Sequence, residues 1–411
     1  MSNRKKSNAS RREFLNYAGL TAMAVSIDLV PPIFQLPRNE LIGSANADSL
    51  DELTISGKNG LRVLSDRPLN AEAPPYLLDD VITPNDRHFV RNNGLPPEID
   101  SKGWTLTVDG EVHNPLVLTL EQLKRFKHYT YTLQIECGGN GRASFNPPTK
   151  GNQWTYGAIG CATYKGVRMK DVLRSAGLKN SAVYTGYYGS DLHLSGDPNK
   201  TPISRGTPIA KALDDHTLIV WEMNGRPLPQ LHGFPLRVIT PGWPGSTSIK
   251  WLKHIAIRDK EHDGPKMKGY SYRVPKYPVP PGKHVPKEDM KIIESMPVKS
   301  LITFPKSQLN WKYKKSLSLR GHAWAGDRSI KAVHVSINFG VNWMETSLTP
   351  PVNPFAWQNW KTLIDFPMKG YYEVWARATD SMGEMQPMVV PGWNPKGYLN
   401  NAMHRISVTI I

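Results

Sequence analysis

Cysteine is almost absent from this chain, since only Cys137 and Cys161 occur among its 411 residues. Two cysteines exclude a disulfide framework, and the sequence contains neither a C-x-x-C-H haem attachment motif nor a Cys/His cluster of the zinc type. It also lacks an apolar run long enough to span a bilayer. Redox chemistry in this chain would therefore need a cofactor that few protein ligands hold.

Acidic residues are the second shortage, with 35 Asp and Glu against 51 Lys and Arg and a formal net charge of +16. Residues 1–47 hold six basic and three acidic residues, so +13 belongs to the remainder. A basic surface attracts anions, acidic proteins, nucleic acid or anionic membranes. No nucleic-acid-binding motif is present, and we expect a small anionic substrate or an acidic protein partner.

The N-terminal segment predicts export. Paired arginines at residues 11–12 precede Phe-Leu, a mildly apolar run covers residues 17–30, and Ala-Asn-Ala follows at residues 45–47. These are the parts of a twin-arginine signal, which we assign to residues 1–47. The twin-arginine route carries folded proteins, often with a cofactor already inserted, so we expect a periplasmic cofactor protein.

The chain from residue 48 predicts two domains. Its 35 Pro and 33 Gly indicate many turns, and its length exceeds what one core normally supports. A first domain, residues 48–290, mixes predicted strands with short helices, one of them capped by Thr119. The strands are expected at residues 104–108, 129–135, 217–221 and 236–239, and the helices at 119–123 and 167–176.

Beyond a Pro- and Gly-rich segment at residues 264–286, read as a linker or surface loop, the pattern changes. Apolar and polar residues alternate at 333–339, 371–378 and 406–410, with turn residues between these runs. Such alternation is typical of strands that face a core on one side. We therefore expect residues 291–411 to form an all-β sandwich.

The segment around Cys137 is the strongest chemical signal. A predicted strand runs directly into Glu136-Cys137-Gly138-Gly139-Asn140-Gly141-Arg142. The thiol could be a small buried apolar group or a hydrolase nucleophile. It could also be a soft ligand for a redox metal, with glycines that allow close approach and Arg142 that holds an anion.

The same segment, Ile-Glu-Cys-Gly-Gly-Asn-Gly-Arg, resembles the cysteine loop of the sulfite oxidase family of molybdenum enzymes. Further similar motifs follow the family's order: FVRNN at 89–93, QWTYGAIG at 153–160, EMNG at 222–225, HGFPLR at 232–237, SIKWL at 248–252, and QP, GWN and NAMHR between 386 and 405. The chain looks like the bacterial exported sulfite dehydrogenase and sulfane dehydrogenase branch. The resemblance implies an α+β molybdopterin-binding domain of the sulfite oxidase fold, followed by an immunoglobulin-like dimerisation sandwich.

The resemblance also implies roles. Cys137 would bind the molybdenum of a molybdopterin cofactor, while Cys161 is read as a buried free thiol. At the substrate it places Arg91, Arg142 and a wall formed by Trp154. It also places a tyrosine there, for which we choose Tyr270. Eukaryotic members have this tyrosine before the Lys-Gly pair, where Met267 stands in this chain. The cofactor-binding residues it implies are Phe89, Val90, Arg91, Asn92, Asn93, Asp191, His232, Arg237, Ser248, Ile249 and Lys250.

The implied reaction is oxygen-atom transfer to sulfite, with electrons passed to an external c-type cytochrome. A homodimer, or a heteromer with a cytochrome subunit, would follow from the resemblance. A sulfane-sulfur dehydrogenase of a thiosulfate-oxidising system and a sulfoxide reductase are the alternatives among enzymes, although known reductases of this kind lack the sandwich. A cofactor-free secreted interaction protein is the alternative outside them. Many members of the family have His at the position of Asn93 and Arg at the position of Lys396. These two differences leave the identity of the substrate open.

Overall fold

The computed structural model describes residues 54–411, and these residues belong to one compact unit. The predicted signal peptide, residues 1–47, lies outside the described residues. Within residues 54–411, no helix is both long and apolar enough to cross a membrane.

Short strands dominate the first portion of the described chain. Between them lie α1 (Leu120–Leu123), α2 (Met169–Ala176) and α3 (Ile209–Ala212), together with 3-10 turns at Pro75–Leu78, Arg142–Ser144, Gln230–His232, Gly245–Thr247 and Lys287–Asp289. The strands are β1 (Arg62–Asp66), β2 (Leu69–Glu72), β3 (Val90–Arg91), β4 (Thr105–Gly110), β5 (Leu116–Thr119), β6 (Tyr129–Glu136), β7 (Ile159–Arg168), β8 (Tyr184–Gly189), β9 (Ser204–Arg205), β10 (Leu218–Met223), β11 (Arg226–Pro227), β12 (Arg237–Ile239), β13 (Leu252–Arg258), β14 (Arg273–Pro275) and β15 (Met290–Ile292).

The predicted caps and strands are largely confirmed. Thr119 begins α1 with a reciprocal capping box, in which Thr119 Oγ1 accepts from Gln122 N at 3.2 Å and Gln122 Oε1 accepts from Thr119 N at 2.8 Å. The helix predicted from residue 167 starts at Met169, because Val167 and Arg168 still pair with β10 in register. Gly177, at φ 67°, ends α2.

Three sheets of three or more strands build this portion. One has the order β1-β2-β3, a second has β11-β10-β7-β6 with β12 also beside β10, and a third has β5-β4-β13-β8-β9. Their pairs are antiparallel except for the parallel pair of β13 and β4. Apolar side chains from the second and third sheets and from α2 pack into one core, including Leu106, Val172, Ile219 and Ile255. This arrangement confirms the α+β class of the first portion.

The second portion is a sandwich of two sheets. The segment read as a linker holds β14, which pairs with β15 before the sandwich begins. The two sheets have the orders β16-β18-β22-β21 and β17-β24-β23-β19-β20, and Leu319, Val335, Trp360 and Val408 fill the core between them. The strands are β16 (Lys299–Phe304), β17 (Leu309–Trp311), β18 (Leu317–Trp324), β19 (Ile330–Ser336), β20 (Met344–Glu345), β21 (Ser347–Leu348), β22 (Gln358–Ile364), β23 (Gly370–Asp380) and β24 (His404–Ile410).

The two portions pack tightly against each other. Ile159 and Cys161 of β7 share an apolar cluster with Leu301 and Trp324 of the sandwich. Cys161 is fully buried and free, as predicted, and burial raises the pKa of its thiol to about 12. A thiol held neutral in an apolar cluster is structural, which leaves Cys137 for chemistry.

Candidate functional site

The loop that contains Cys137 follows β6 directly. Cys137 N donates to Ala158 O at 2.9 Å, and the residue is 6% exposed. A Cβ at Gly139 would lie 2.3 Å from Arg142 Nη2, so any side chain there would displace the guanidinium. The glycines therefore let the Arg142 guanidinium fold back over the loop that presents the thiol.

Two cavities meet at this thiol. The inner cavity encloses about 690 Å³ and the outer one about 850 Å³, counting all space between their lining atoms. Five residues line both cavities and so form the boundary between them: Arg91, Asn92, Asn93, Cys137 and Tyr272. A group bound to the thiol would therefore contact one ligand-sized space on each side.

The wall of the inner cavity is cationic and buried. Arg237 donates from Nη1 to His232 O at 3.0 Å and from Nη2 to Ser248 O at 2.9 Å. Lys250 Nζ donates to Leu231 O at 2.8 Å and to Asn92 Oδ1. Burial lowers the pKa of both cationic side chains, and for Lys250 the charge of Arg237 adds to the effect. Desolvated cations without a counter-charge are unfavourable, so this wall is suited to an anion.

Lys58 and His88 lie next to His232 of this wall. Lys58 Nζ donates to Asn85 O at 2.6 Å and to His88 O at 2.8 Å, and it lies 2.5 Å from His232 Nε2. Burial lowers the pKa of Lys58 to about 7, although Asp86 opposes the shift. Burial, with the charge of Lys58, lowers the pKa of His88 to about 3. His88 and His232 are both neutral near pH 7. Because the Lys58 ammonium can only donate, Nε2 of His232 is the acceptor in their hydrogen bond.

Asp191 is the one carboxylate among the described residues that line the inner cavity. Burial raises its pKa to about 6, while the charge of Lys250 works in the opposite direction. Near pH 6 this side chain can either donate or accept a hydrogen bond. It is therefore suited to a polar heterocycle rather than to a second anion.

The outer cavity is lined by five cationic side chains, and no carboxylate occurs among its described lining residues. Arg142 is held by bonds from Nε to Lys396 O at 2.7 Å and from Nη1 to Asn152 O at 2.9 Å, and its guanidinium lies 5.1 Å from the Tyr398 ring centroid. Two arginines at the thiol and lysines further out provide strong attraction for an anion. The five cations are Arg91, Arg142, Lys150, Lys266 and Lys396.

Arg91 is the cation shared by both cavities. Its Nη2 donates to Asn93 Oδ1 at 3.0 Å, and its Nη1 donates to Asn70 Oδ1 at 3.3 Å and to Asn92 O. Burial opposes its charge, yet negative charge on Tyr272 and Cys137 would outweigh burial and raise its pKa. Arg91 thus stays cationic beside the thiol.

Most of the predicted site residues come together. Those that line the inner cavity are Phe89, Arg91, Asn92, Asn93, Cys137, Asp191, His232, Arg237, Ser248, Ile249 and Lys250, and Arg142 lines the outer one. Thus residues that lie up to 161 positions apart, Phe89 and Lys250, share one wall.

Three predicted residues do not line either cavity. Val90 is buried and pairs with Ala71 between β3 and β2, so its side chain points away from the space that Phe89 and Arg91 border. Trp154 is fully buried behind the site, where its ring meets Phe89 edge to face with centroids 6.3 Å apart. Our expectation that Trp154 forms a wall of the substrate pocket is wrong.

The choice of Tyr270 is also wrong. Its hydroxyl donates to Val285 O at 2.9 Å, and the residue lines neither cavity. Tyr272 takes the position at the thiol, where Asn93 Nδ2 donates to its hydroxyl at 3.2 Å. Tyr272 has φ 55°, and this left-handed residue turns its ring inward to stack on Tyr398 with centroids 5.6 Å apart.

The sequence did not reveal several cavity residues. Tyr272 stands two positions from the chosen tyrosine, so the motif was located and only the residue was missed. His88 and Ser246 line the inner cavity and were not predicted, although each lies within two positions of a predicted residue, Phe89 and Ser248. Lys58, which contacts His232 beside the cavity, lies in a segment without such a motif.

A molybdopterin cofactor fits this donor set. Nε of Arg237 and Nε2 of His88 are buried without a hydrogen-bond partner among the described residues, and both side chains line the inner cavity. A phosphate-bearing group would neutralise the cationic wall, and a heterocycle would satisfy Asp191. No group of three or more His, Cys, Asp or Glu side chains between residues 54 and 411 is placed to hold a metal ion by itself.

Comparison with known proteins gives consistent matches along the chain. An oxidoreductase molybdopterin binding domain matches residues 93–266, and a Mo-co oxidoreductase dimerisation domain matches residues 290–411. The chain is 33% identical to the mitochondrial sulfite oxidase of Rattus norvegicus over 85% of this chain and 66% of that protein. It therefore spans just under two thirds of that relative's length.

Other relatives are matched over more of their length. The sulfite oxidase of Gallus gallus is 33% identical and is covered to 77%, and that of Arabidopsis thaliana is 30% identical and is covered to 93%. Among solved structures, the sulfane dehydrogenase SoxCD from Paracoccus pantotrophus superposes with a TM-score of 0.70 and 26% identity, over 94% of this chain and 92% of that chain.

Proposed function

The chain belongs to the sulfite oxidase family of molybdopterin oxidoreductases, and we propose from this premise that it oxidises sulfite to sulfate. Sulfite and water give sulfate, two protons and two electrons in this reaction. The observation that supports it is the meeting of two cation-lined cavities at Cys137. One cavity suits a resident anionic cofactor, and the other suits an anion that enters from solvent.

In this proposal the chain holds the cofactor at its two ends. Cys137 provides the thiolate ligand, and the phosphate-bearing end is bound by His232, Arg237 and Lys250. When bound, the molybdenum centre supplies the redox chemistry that takes two electrons from the substrate. The protein itself contributes binding, orientation and the electrostatic field around the thiol.

Arg91 and Arg142 bind the oxyanion in the outer cavity. Arg142 is aligned by its bonds to Lys396 O and Asn152 O, so little side-chain freedom is lost when an anion arrives. The hydroxyl of Tyr272, held by Asn93, provides a further donor at the boundary. Fixed donors of this kind stabilise charge on the substrate oxygens without reorganising during the reaction.

A sulfane-sulfur dehydrogenase is the second candidate. The match to the sulfane dehydrogenase SoxCD covers nearly the whole of both chains, and the outer cavity is larger than a small oxyanion requires. Lys150 and Lys266 are exposed at this cavity and would suit a sulfur group carried on an acidic partner. The reductase alternative has less support, because the chain has the sandwich that known sulfoxide reductases of this kind lack.

We further propose that the protein acts in the periplasm, exported by the twin-arginine route, and passes electrons to a c-type cytochrome. The leader motif of residues 10–15 and the +13 charge of the remaining chain support this proposal. The match of residues 290–411 to a dimerisation domain supports a homodimer or a heteromer.

The test is to purify the chain from a host that makes molybdopterin. Metal and pterin analysis should find one molybdenum and one pterin per chain, and sulfite should then reduce ferricyanide and cytochrome c. Absence of both molybdenum and pterin would refute the enzyme proposal. Reduction that depends on a protein-bound sulfane substrate, with none from sulfite, would favour the second candidate.

A further inference from the structure

The loop of residues 136–142, called here the cysteine loop, is held largely by residues of the second portion of the chain. Leu399 N donates to Gly138 O at 3.0 Å, and Asn400 Nδ2 donates to Gly141 O at 2.8 Å. Both acceptors are backbone carbonyls that lie between Cys137 and Arg142 in the chain. The segment before β24 therefore fixes the path of the loop that presents the thiol.

The side chain of Glu136 makes the strongest of these connections. Its carboxylate accepts from Lys299 Nζ at 2.6 Å and from Trp324 Nε1 at 2.9 Å, and both donors belong to the sandwich. The exposed fractions of the Glu136 and Lys299 side chains are 0% and 7%. A buried carboxylate is stable only when its charge and lone pairs are matched, so this residue depends on the sandwich.

A short chain of bonds links Glu136 to the thiol. Asn140 Nδ2 donates to Glu136 Oε1 at 3.0 Å, and Asn140 Oδ1 accepts from Ala158 N at 3.1 Å. Ala158 O in turn accepts from Cys137 N at 2.9 Å. A movement of the Glu136 carboxylate would therefore be transmitted to both sides of Cys137.

We propose that the C-terminal sandwich is a positioning element of the metal site, which orients Cys137 and balances the charge beside it through Lys299, Trp324 and Glu136. Lys299 neutralises a carboxylate one residue from the thiol, so that the loop carries no uncompensated negative charge next to the ligand. The inference rests on the proposed ligand role of Cys137. It gives the second portion a role at the site that is separate from dimerisation.

The test compares two double variants of the full chain. Glu136→Gln/Lys299→Met removes the buried pair at the cysteine loop. Asp79→Asn/Arg320→Met removes a second pair between the two portions, in which Arg320 Nη2 donates to Asp79 Oδ2 at 2.6 Å, remote from the loop. Both variants loosen the contact between the portions, and only the first acts on Cys137.

The first readout is alkylation of the thiol in full chain produced without cofactor. Peptide mass spectrometry follows Cys137 and Cys161 separately, and the fully buried Cys161, which packs between the two portions, reports general loosening of their contact. We expect Cys137 to react about tenfold faster in Glu136→Gln/Lys299→Met, through local opening, while Cys161 reacts at the same rate in both double variants. The Asp79→Asn/Arg320→Met control should react at the parent rate. Equal Cys137 rates in the two double variants would overturn the proposal.

The second readout is spectroscopic and uses holoenzyme. The metal–thiolate absorption should shift in Glu136→Gln/Lys299→Met, and kcat should fall more than the KM for sulfite changes. The control variant should match the parent in all three. An unshifted absorption band would contradict the proposal.

If the first double variant fails to fold, Trp324→Phe keeps an aromatic, though smaller, side chain and removes the indole N–H that donates to Glu136. It should still raise the Cys137 labelling rate by roughly threefold, and a parent rate would overturn the proposal. Because labelling uses neither sulfite nor cofactor, failure of the sulfite reaction would leave this result interpretable.

Discussion

The inner and outer cavities both border Cys137, yet their cationic side chains differ in burial and in bonding. In the inner cavity, Lys250 and Arg237 donate to backbone carbonyls, and burial lowers the pKa of each. In the outer cavity, Lys150 and Lys266 are exposed, and their ammonium groups have no hydrogen bond to other described residues.

This difference separates two uses of positive charge. Cations that are desolvated and already aligned gain the most from an anion that stays, because each exchange would expose them again at a cost. Exposed lysines attract an anion over a distance and release it readily, because solvent screens them. The inner cavity thus suits a resident cofactor, and the outer cavity suits a substrate that enters and a product that leaves.

Loss of the Cys137 thiol, which borders both cavities, should have the largest effect on turnover. Cys137→Ser replaces a soft thiolate with a hydroxyl that binds molybdenum weakly, so turnover should be abolished while the fold persists. Sulfite-dependent ferricyanide reduction and thermal unfolding measure the two properties. Cys161→Ser is the matched control and should keep its activity. Substantial turnover by Cys137→Ser would refute the ligand role.

The same substitution, Lys to Met, at one lysine of each cavity should separate retention of the cofactor from attraction of the substrate. Lys250→Met removes a buried cation with two hydrogen bonds, so bound pterin should fall by about tenfold or more. Lys150→Met should keep its pterin and show only a raised KM for sulfite. Pterin content is measured by fluorescence after oxidative release. Equal pterin losses in the two variants would contradict the division between the cavities.

Arg142→Gln tests the outer cavity at the thiol. It removes a charged donor that binds the anion in the ground state as well as in the transition state, so the KM for sulfite should rise by roughly 10- to 100-fold. The kcat should change much less. Lys266→Gln, further from the thiol, should raise the KM by only a few-fold. A large fall in kcat at an unchanged KM would show that Arg142 acts in the chemical step instead.

The last expected effect is a pH dependence of stability caused by Lys58, which lies beside the inner cavity. In the cofactor-free chain the folded pKa of Lys58 is lowered to about 7, whereas an unfolded lysine has a pKa of about 10.4. Between these values the unfolded chain binds more protons, so the free energy of unfolding should rise as pH increases from about 7 to about 10. Below about pH 7 both states are protonated, and this contribution becomes constant.

Lys58→Met should reduce this rise, because one titrating group is removed, while the lowered pKa of Lys250 maintains the remainder. Thermal unfolding of cofactor-free chain at pH 6 to 10 measures it, and Lys150→Met provides the control with an unchanged slope. A rise of equal size in Lys58→Met and the parent would show that another group is responsible. Bound cofactor should reduce the slope in the parent, since a nearby anion raises the pKa of Lys58.

The sequence was most informative where the chemistry is local. The strand that leads into Cys137, the capping box at Thr119 and the alternating runs of the sandwich each depend on residues within a few positions. Such patterns are visible in one dimension because backbone geometry sets their period. The linker at residues 264–286 was misread in part, since the pairing of β14 with β15 is not encoded by alternation over so few residues.

Much of the site was found through the order of its motifs, and the errors lie where local geometry departs from a regular element. Tyr270 and Tyr272 are equally plausible in a Lys-Gly-Tyr-Ser-Tyr segment, and the left-handed backbone at Tyr272 decides which ring faces the thiol. Trp154 was placed at the substrate by its motif, but the packing of Phe89 against it sets it one layer behind.

The sequence by itself determined that Cys137 stands at a strand end among glycines, in a basic chain that attracts anions. Only the tertiary structure decided that Lys58 meets His232 beside the inner cavity and that Lys299 and Trp324 support Glu136 beside the thiol. The physical reason is that a side chain acts over only a few ångströms. These residues are 79 to 188 positions in sequence from their partners or from the thiol, and only the packing of the sheets brings them together. Cys137 is therefore identified by its neighbours in sequence, whereas its environment is made by its neighbours in space.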